Sequence, residues 1–133
     1  MRLILIYIAS WIVGVIAYVG GLALLWRQTL SGGDLRAVLF GSALASAVAV
    51  VLVYAPVMFA LRKRMGGTAG IVTYALASVM LGVIPVLLIV GVFGGNVSSL
   101  TSPEALLFCC MFTAFGLVFG AGFSWAYGAA GSD

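Results

Sequence analysis

Apolar residues run almost unbroken through four stretches of this chain, and polar residues collect in the three gaps between them. The stretches lie at about 3–25, 38–61, 71–93 and 105–127, and none holds a charged side chain. Each has 23 or 24 residues. As an α-helix that is about 35 Å, enough to cross a hydrocarbon layer of about 30 Å with modest tilt. None alternates between apolar and polar as a membrane β-strand would. Backbone N–H and C=O groups immersed in lipid must be paired within their own segment, so helices are the predicted elements. The first stretch is too long for the apolar part of a cleaved signal peptide, and no convincing small-x-small site follows it, so it reads as a retained span.

The gaps run from Trp26 to Ala37, Arg62 to Gly70 and Gly94 to Glu104, with glycine pairs at Gly32–Gly33, Gly66–Gly67 and Gly94–Gly95 marking turns. Links this short make consecutive helices antiparallel neighbours. The expected fold is therefore an all-α integral membrane protein, with four transmembrane helices in an up-down antiparallel bundle and one membrane domain over residues 1–133. Ser31-Gly-Gly-Asp34 and Thr101-Ser-Pro-Glu104 read as capping boxes that open the second and fourth helices. That reading assigns Asp34 and Glu104 to helix starts rather than to catalysis.

Composition strengthens the membrane reading. With 65% apolar and 7% charged residues, nine charged side chains cannot cover a water-facing surface for a chain of 133 residues. The basic residues then suggest a direction. Arg2, Arg62, Lys63 and Arg64 fall on one side of the spans, and Arg27 and Arg36 on the other. The positive-inside rule places the larger group, and both termini with it, in the cytoplasm. This leads us to expect a multi-pass protein of the cytoplasmic (inner) membrane. Six basic residues spread over such a chain make no nucleic-acid surface.

Chemistry is sparse. There is no histidine, and the carboxylates are confined to Asp34, Glu104 and Asp133. A serine nucleophile would lack a base, so no catalytic residue, metal ligand or cofactor site is assigned and no enzyme activity is expected. Cys109 and Cys110 read as two small buried apolar residues rather than a redox pair. Asn96-Val97-Ser98 has the form of a glycosylation sequon. The polar residues inside the spans are Ser10, Ser42, Ser46, Thr73, Ser78, Thr113 and Ser124, each able to bond to its own helix backbone. No charge is buried in the spans, which argues against a proton or sodium relay.

Helices in lipid associate where small residues let backbones approach. Candidate interface positions are Ser10 and Gly14 in the first span and Gly41, Ala45 and Ala49 in the second. Ser78 and Gly82 serve in the third span, and Gly116 and Gly120 in the fourth. Pro56 and Pro85 each remove one helix hydrogen bond, to Leu52 and Leu81 respectively, so kinks are expected there. Arg62, Lys63 and Arg64 are candidate contacts for anionic lipid headgroups.

Residues 9–16 match residues 77–84 at five of eight positions, and the two capping boxes stand 70 residues apart. The pattern fits two duplicated helical hairpins, although a chain rich in Ala, Val, Gly and Leu also matches itself by chance. Two functions suit these features. The first is a non-catalytic subunit or accessory factor of a membrane complex, with the bilayer and other membrane subunits, or further copies of itself, as partners. The alternative is an oligomeric transporter or permeation unit for a small solute or lipid.

Overall fold

The computed structural model describes residues 1–27, 31–65, 70–92 and 101–128. All the secondary structure among them is helical: α1 (Arg2–Trp26), α2 (Gly32–Ala49), α3 (Ala55–Met65), α4 (Ile71–Leu81), α5 (Val83–Val92) and α6 (Pro103–Phe123). Two π-helical segments, Val50–Tyr54 and Ser124–Gly128, continue α2 into α3 and extend α6. Four of the resulting helices are long and apolar enough to cross a membrane: Arg2–Trp26, Gly32–Met65, Ile71–Leu88 and Pro103–Gly128. The chain is a multi-pass membrane protein of all-α build.

The second span is longer than its apolar stretch. Its 34 residues make a helix of about 51 Å, well beyond a hydrocarbon layer of about 30 Å. The ends that project carry Asp34 and Arg36 at one end and Arg62, Lys63 and Arg64 in the last turn at the other. Gly32 and Gly33, expected in a turn, instead form the first turn of α2. Ser31 caps it, accepting from the Asp34 N–H and donating to the Asp34 carboxylate. At the fourth span the cap is Ser102, whose Oγ accepts from the Ala105 N–H at 3.2 Å, so the box read from Thr101 is shifted by one residue. Pro103 explains the shift. It has no N–H to be satisfied and fits the first helical position, which makes the residue before it the cap.

Each proline reshapes its helix in a different way. Pro56 cannot donate to Leu52, and the chain just before it slips from four-residue to five-residue spacing. The Ala55 N–H donates to the Val50 carbonyl. The expected kink is thus a π-helical segment. In the third span the interruption falls at Gly82, three residues before Pro85. The Gly82 N–H is shared between the carbonyls of Ser78 (3.1 Å) and Val79 (3.0 Å). Helix α5 restarts at Val83, which places Pro85 in a first turn where a missing N–H costs least.

The fourth span is the axis of the bundle. In its most apolar window 44% of residues are buried, against 28% in each of the other three spans. It runs antiparallel to α1, with Gly122 against Ile6, Gly14 against Met111 and Gly21 against Leu107. It is also antiparallel to α4, with Gly120 against Ala75 and Gly116 against Ser78. Its aromatic side chains Phe112, Phe115, Phe119 and Phe123 are fully buried, as are Tyr54 and Tyr74 from the second and third spans. Phe115 and Phe119 stack at 5.8 Å, and Tyr54 meets both edge-on at 5.6 and 5.4 Å. Such ring pairs add roughly 0.5–1.5 kcal/mol each beyond the area they bury.

Candidate functional site: the polar seam and the small-residue faces

Polar chemistry inside the bundle concentrates between the first two spans. Tyr7 and Trp11 stand one turn apart on α1, and Ser46 and Ser42 one turn apart on the antiparallel α2. The Tyr7 hydroxyl donates to the Ala43 carbonyl at 2.8 Å and lies 3.2 Å from Ser46 Oγ. The Trp11 Nε1–H donates to Ser42 Oγ at 3.1 Å. Ser42 and Ser46 also bond back to their own helix, at Leu39 and Ser42 respectively. Sequence alone assigns these serines only that local role. The signal for the wider one is the amphipathic pair Tyr7-xxx-Trp11, whose polar tips need partners in a non-aqueous setting.

Among the described residues, three buried side-chain oxygens have no partner: Tyr54 Oη, Tyr74 Oη and Ser78 Oγ. Two of them sit beside the helix irregularities. Tyr54 ends the π-helical segment, and its hydroxyl lies 3.3 Å from where a Cβ on Gly82 would stand. Ser78 is one turn before Gly82. Its match in the proposed repeat, Ser10, is equally buried but donates to the Ile6 carbonyl at 2.6 Å.

The candidate interface residues divide between the inside and the outside of the bundle. A Cβ on Gly14 would lie 3.1 Å from the Met111 carbonyl oxygen, and one on Gly82 would lie 3.1 Å from that of Phe112. The matching glycines of the two hairpins therefore press on adjacent carbonyls of the same turn of α6. Among the described glycines the tightest approach is at Gly120, where a Cβ would stand 2.5 Å from Ala75 Cα and the Tyr74 carbonyl oxygen. Gly116 is next, at 2.9 Å from the Ser78 carbonyl oxygen. Only glycine lets the backbones come this close. The stripe on α2 is split: Ala49 is buried, Ala45 half-buried, and Gly41 exposed with nothing within 4 Å of a Cβ position. Gly20 and Gly91 are open in the same way.

Arg62 is half-buried, while Lys63 and Arg64 are exposed, at the end of the bundle that also holds the start of α1 and the end of α6. Cys109 and Cys110, expected to be buried, are both free thiols exposed on the outside of α6. No group of three or more metal-binding side chains occurs among the described residues. The glycine pairs at 66–67 and 94–95 and the sequon at 96–98 lie outside the described residues. No family model, curated protein or solved structure matches the chain.

Proposed function

We propose that this membrane protein is a non-catalytic subunit or accessory factor of a larger membrane assembly, acting through its outer faces. One observation carries the reading: the interior is filled by the fully buried rings of Tyr54, Tyr74, Phe112, Phe115, Phe119 and Phe123. The centre of the bundle, among the described residues, is thus occupied by aromatic side chains, and this reading assigns the interactions to the outside. There, the open glycines Gly20, Gly41 and Gly91 give a partner helix room for close backbone approach. In this reading Arg62, Lys63 and Arg64 face the cytoplasm together with both termini, and hold the anionic headgroups of an inner membrane.

The test is affinity purification in native lipid particles followed by mass spectrometry of the co-purifying proteins. Specific partners are expected, and Gly41→Ile should deplete one or more of them while leaving thermal stability unchanged. Recovery of a monomer with no cross-linked neighbour would defeat the proposal. A self-assembled ring that carries solute flux in liposomes would replace it with the transport reading.

A further inference from the structure

The backbone irregularities of the second and third spans meet at one place in the core. Tyr54 closes the π-helical segment, and its hydroxyl lies 3.3 Å from the position that a Cβ on Gly82 would take. The Val79 and Phe112 carbonyl oxygens stand 3.0 and 3.1 Å from that same point. The hydroxyl bonds to neither, although Tyr54 is wholly buried. An unpaired buried hydroxyl is costly, and native interiors keep few of them. A conformation that leaves one unpaired therefore competes with any neighbouring conformation that pairs it.

The two sides of Gly82 are held very differently. Before it, α4 is clamped on α6, where Cβ atoms on Gly116 and Gly120 would stand 2.9 and 2.5 Å from α4 backbone. After it, Pro85 and Val86 are the buried side chains of α5 among those described, while Val83, Ile84, Leu87 and Leu88 are exposed. Further along α5, a Cβ on Gly91 would meet nothing within 4 Å. Lipid is as apolar as this core, so withdrawing Pro85 and Val86 loses packing but carries no hydrophobic penalty. The joint is also weak. The Gly82 N–H is divided between two carbonyls, and Pro85 has no N–H to offer the Leu81 carbonyl. Gly82 itself has the widest backbone freedom of any residue type.

We propose that α5 is a swinging arm, hinged at Gly82 to Pro85, and that the Tyr54 hydroxyl is the latch that holds it open. In the conformation described here the arm is closed, with α5 against α6 and α2 and the hydroxyl unpaired. In the open one the arm leaves α6, and the hydroxyl donates to the Leu81 carbonyl that Pro85 leaves without a donor. One hydrogen bond gained offsets the packing of two side chains lost, so the open form is a minor state populated within about 0.1–10%. Because α4 stays clamped, the motion parts only the half of the bundle that lies beyond Gly82. The proposal is independent of the subunit reading, since a lone copy would swing in the same way.

The experiment is fluorine NMR with saturation transfer on the full chain in nanodiscs, in a background of Cys109→Ala and Cys110→Ala. A trifluoromethyl label is placed on Leu88→Cys in the arm or, as reference, on Leu76→Cys in α4, both at exposed positions. Position 88 should exchange between a major and a minor environment, while position 76 shows one. Tyr54→Phe should lower the minor fraction about fivefold, the factor that one net hydrogen bond is worth, and Pro85→Ala should abolish it by giving the Leu81 carbonyl its donor back. If Pro85→Ala does not fold, the wild-type chain and Tyr54→Phe decide the matter. A single environment at position 88 would overturn the proposal. So would a minor fraction untouched by Tyr54→Phe, or equal exchange at positions 76 and 88, which would mean that the whole span moves without a hinge.

Discussion

Replacing Gly120 by alanine adds one methyl group at the most crowded of the described glycines. The new carbon would start 2.5 Å from Ala75 Cα and from the Tyr74 carbonyl oxygen, whereas favourable non-bonded separations are about 3.5–4.0 Å. Because the obstruction is backbone on both counts, no side-chain rotation relieves it, and α4 must withdraw from α6 by about 1 Å. A gap of that size forfeits roughly a quarter to a half of each dispersion contact along the interface. Overpacking penalties are about 1–3 kcal/mol, and this site belongs at the upper end, at about 3 kcal/mol. Gly116→Ala, which starts at 2.9 Å, should cost about 1–2 kcal/mol. Gly41→Ala meets nothing within 4 Å and should stay within about 0.5 kcal/mol of wild type. The assay is reversible unfolding in mixed micelles of mild detergent and sodium dodecyl sulfate, followed by tryptophan emission and circular dichroism. The order of losses, Gly120 above Gly116 above Gly41, is the result to look for. A Gly120→Ala protein as stable as wild type would mean that α4 and α6 do not meet along this face.

Other substitutions probe separate parts of the packing. Tyr54→Phe keeps the ring against Phe115 and Phe119 and deletes an unpartnered hydroxyl, so stability should rise by about 1 kcal/mol in the same unfolding assay; a loss would reveal a partner for that hydroxyl. A double-mutant cycle on Trp11→Phe and Ser42→Ala should return a coupling of about 0.6 kcal/mol, the usual strength of a hydrogen bond between membrane helices, and strict additivity would remove the seam from the account. Ser102→Ala should cost about 1 kcal/mol through the lost cap, with Ser102→Asp restoring it; equal stability of all three proteins would show that the α6 start is fixed by other contacts.

The spans were legible because charge is excluded from them, and four charge-free runs of 23 or 24 residues could not be covered by polar side chains in water. The Ser31 cap was legible for a related reason, as a hydroxyl and a carboxylate three residues apart suit a helix start. At the fourth span the same rule pointed to Thr101, while Pro103 held the information needed to move the cap to Ser102. The helix faces were much harder to read. In water an amphipathic stripe marks the buried side, but lipid is as apolar as the core, so hydropathy does not distinguish Gly116, pressed on the Ser78 carbonyl, from Gly41, open to the outside. Spacing alone treated Gly41, Ala45 and Ala49 as one ladder, yet the stripe passes from the outside to the interior along α2. The π-helical segment before Pro56 and the break at Gly82 ahead of Pro85 depend on which neighbour occupies the slack each proline leaves. That is a tertiary property, and Tyr54 against Gly82 is the contact that displays it.

The central claim is that these helices cross a bilayer four times in alternating directions. Its most direct test is single-cysteine labelling in sealed vesicles with a membrane-impermeant maleimide, in a background where Cys109 and Cys110 are alanine. Cysteines replacing Arg2 and Lys63 should be labelled from one side only, and cysteines replacing Ser31 and Ser102 from the other side only. Labelling of all four from the same side, or of any one equally from both, would contradict the fold.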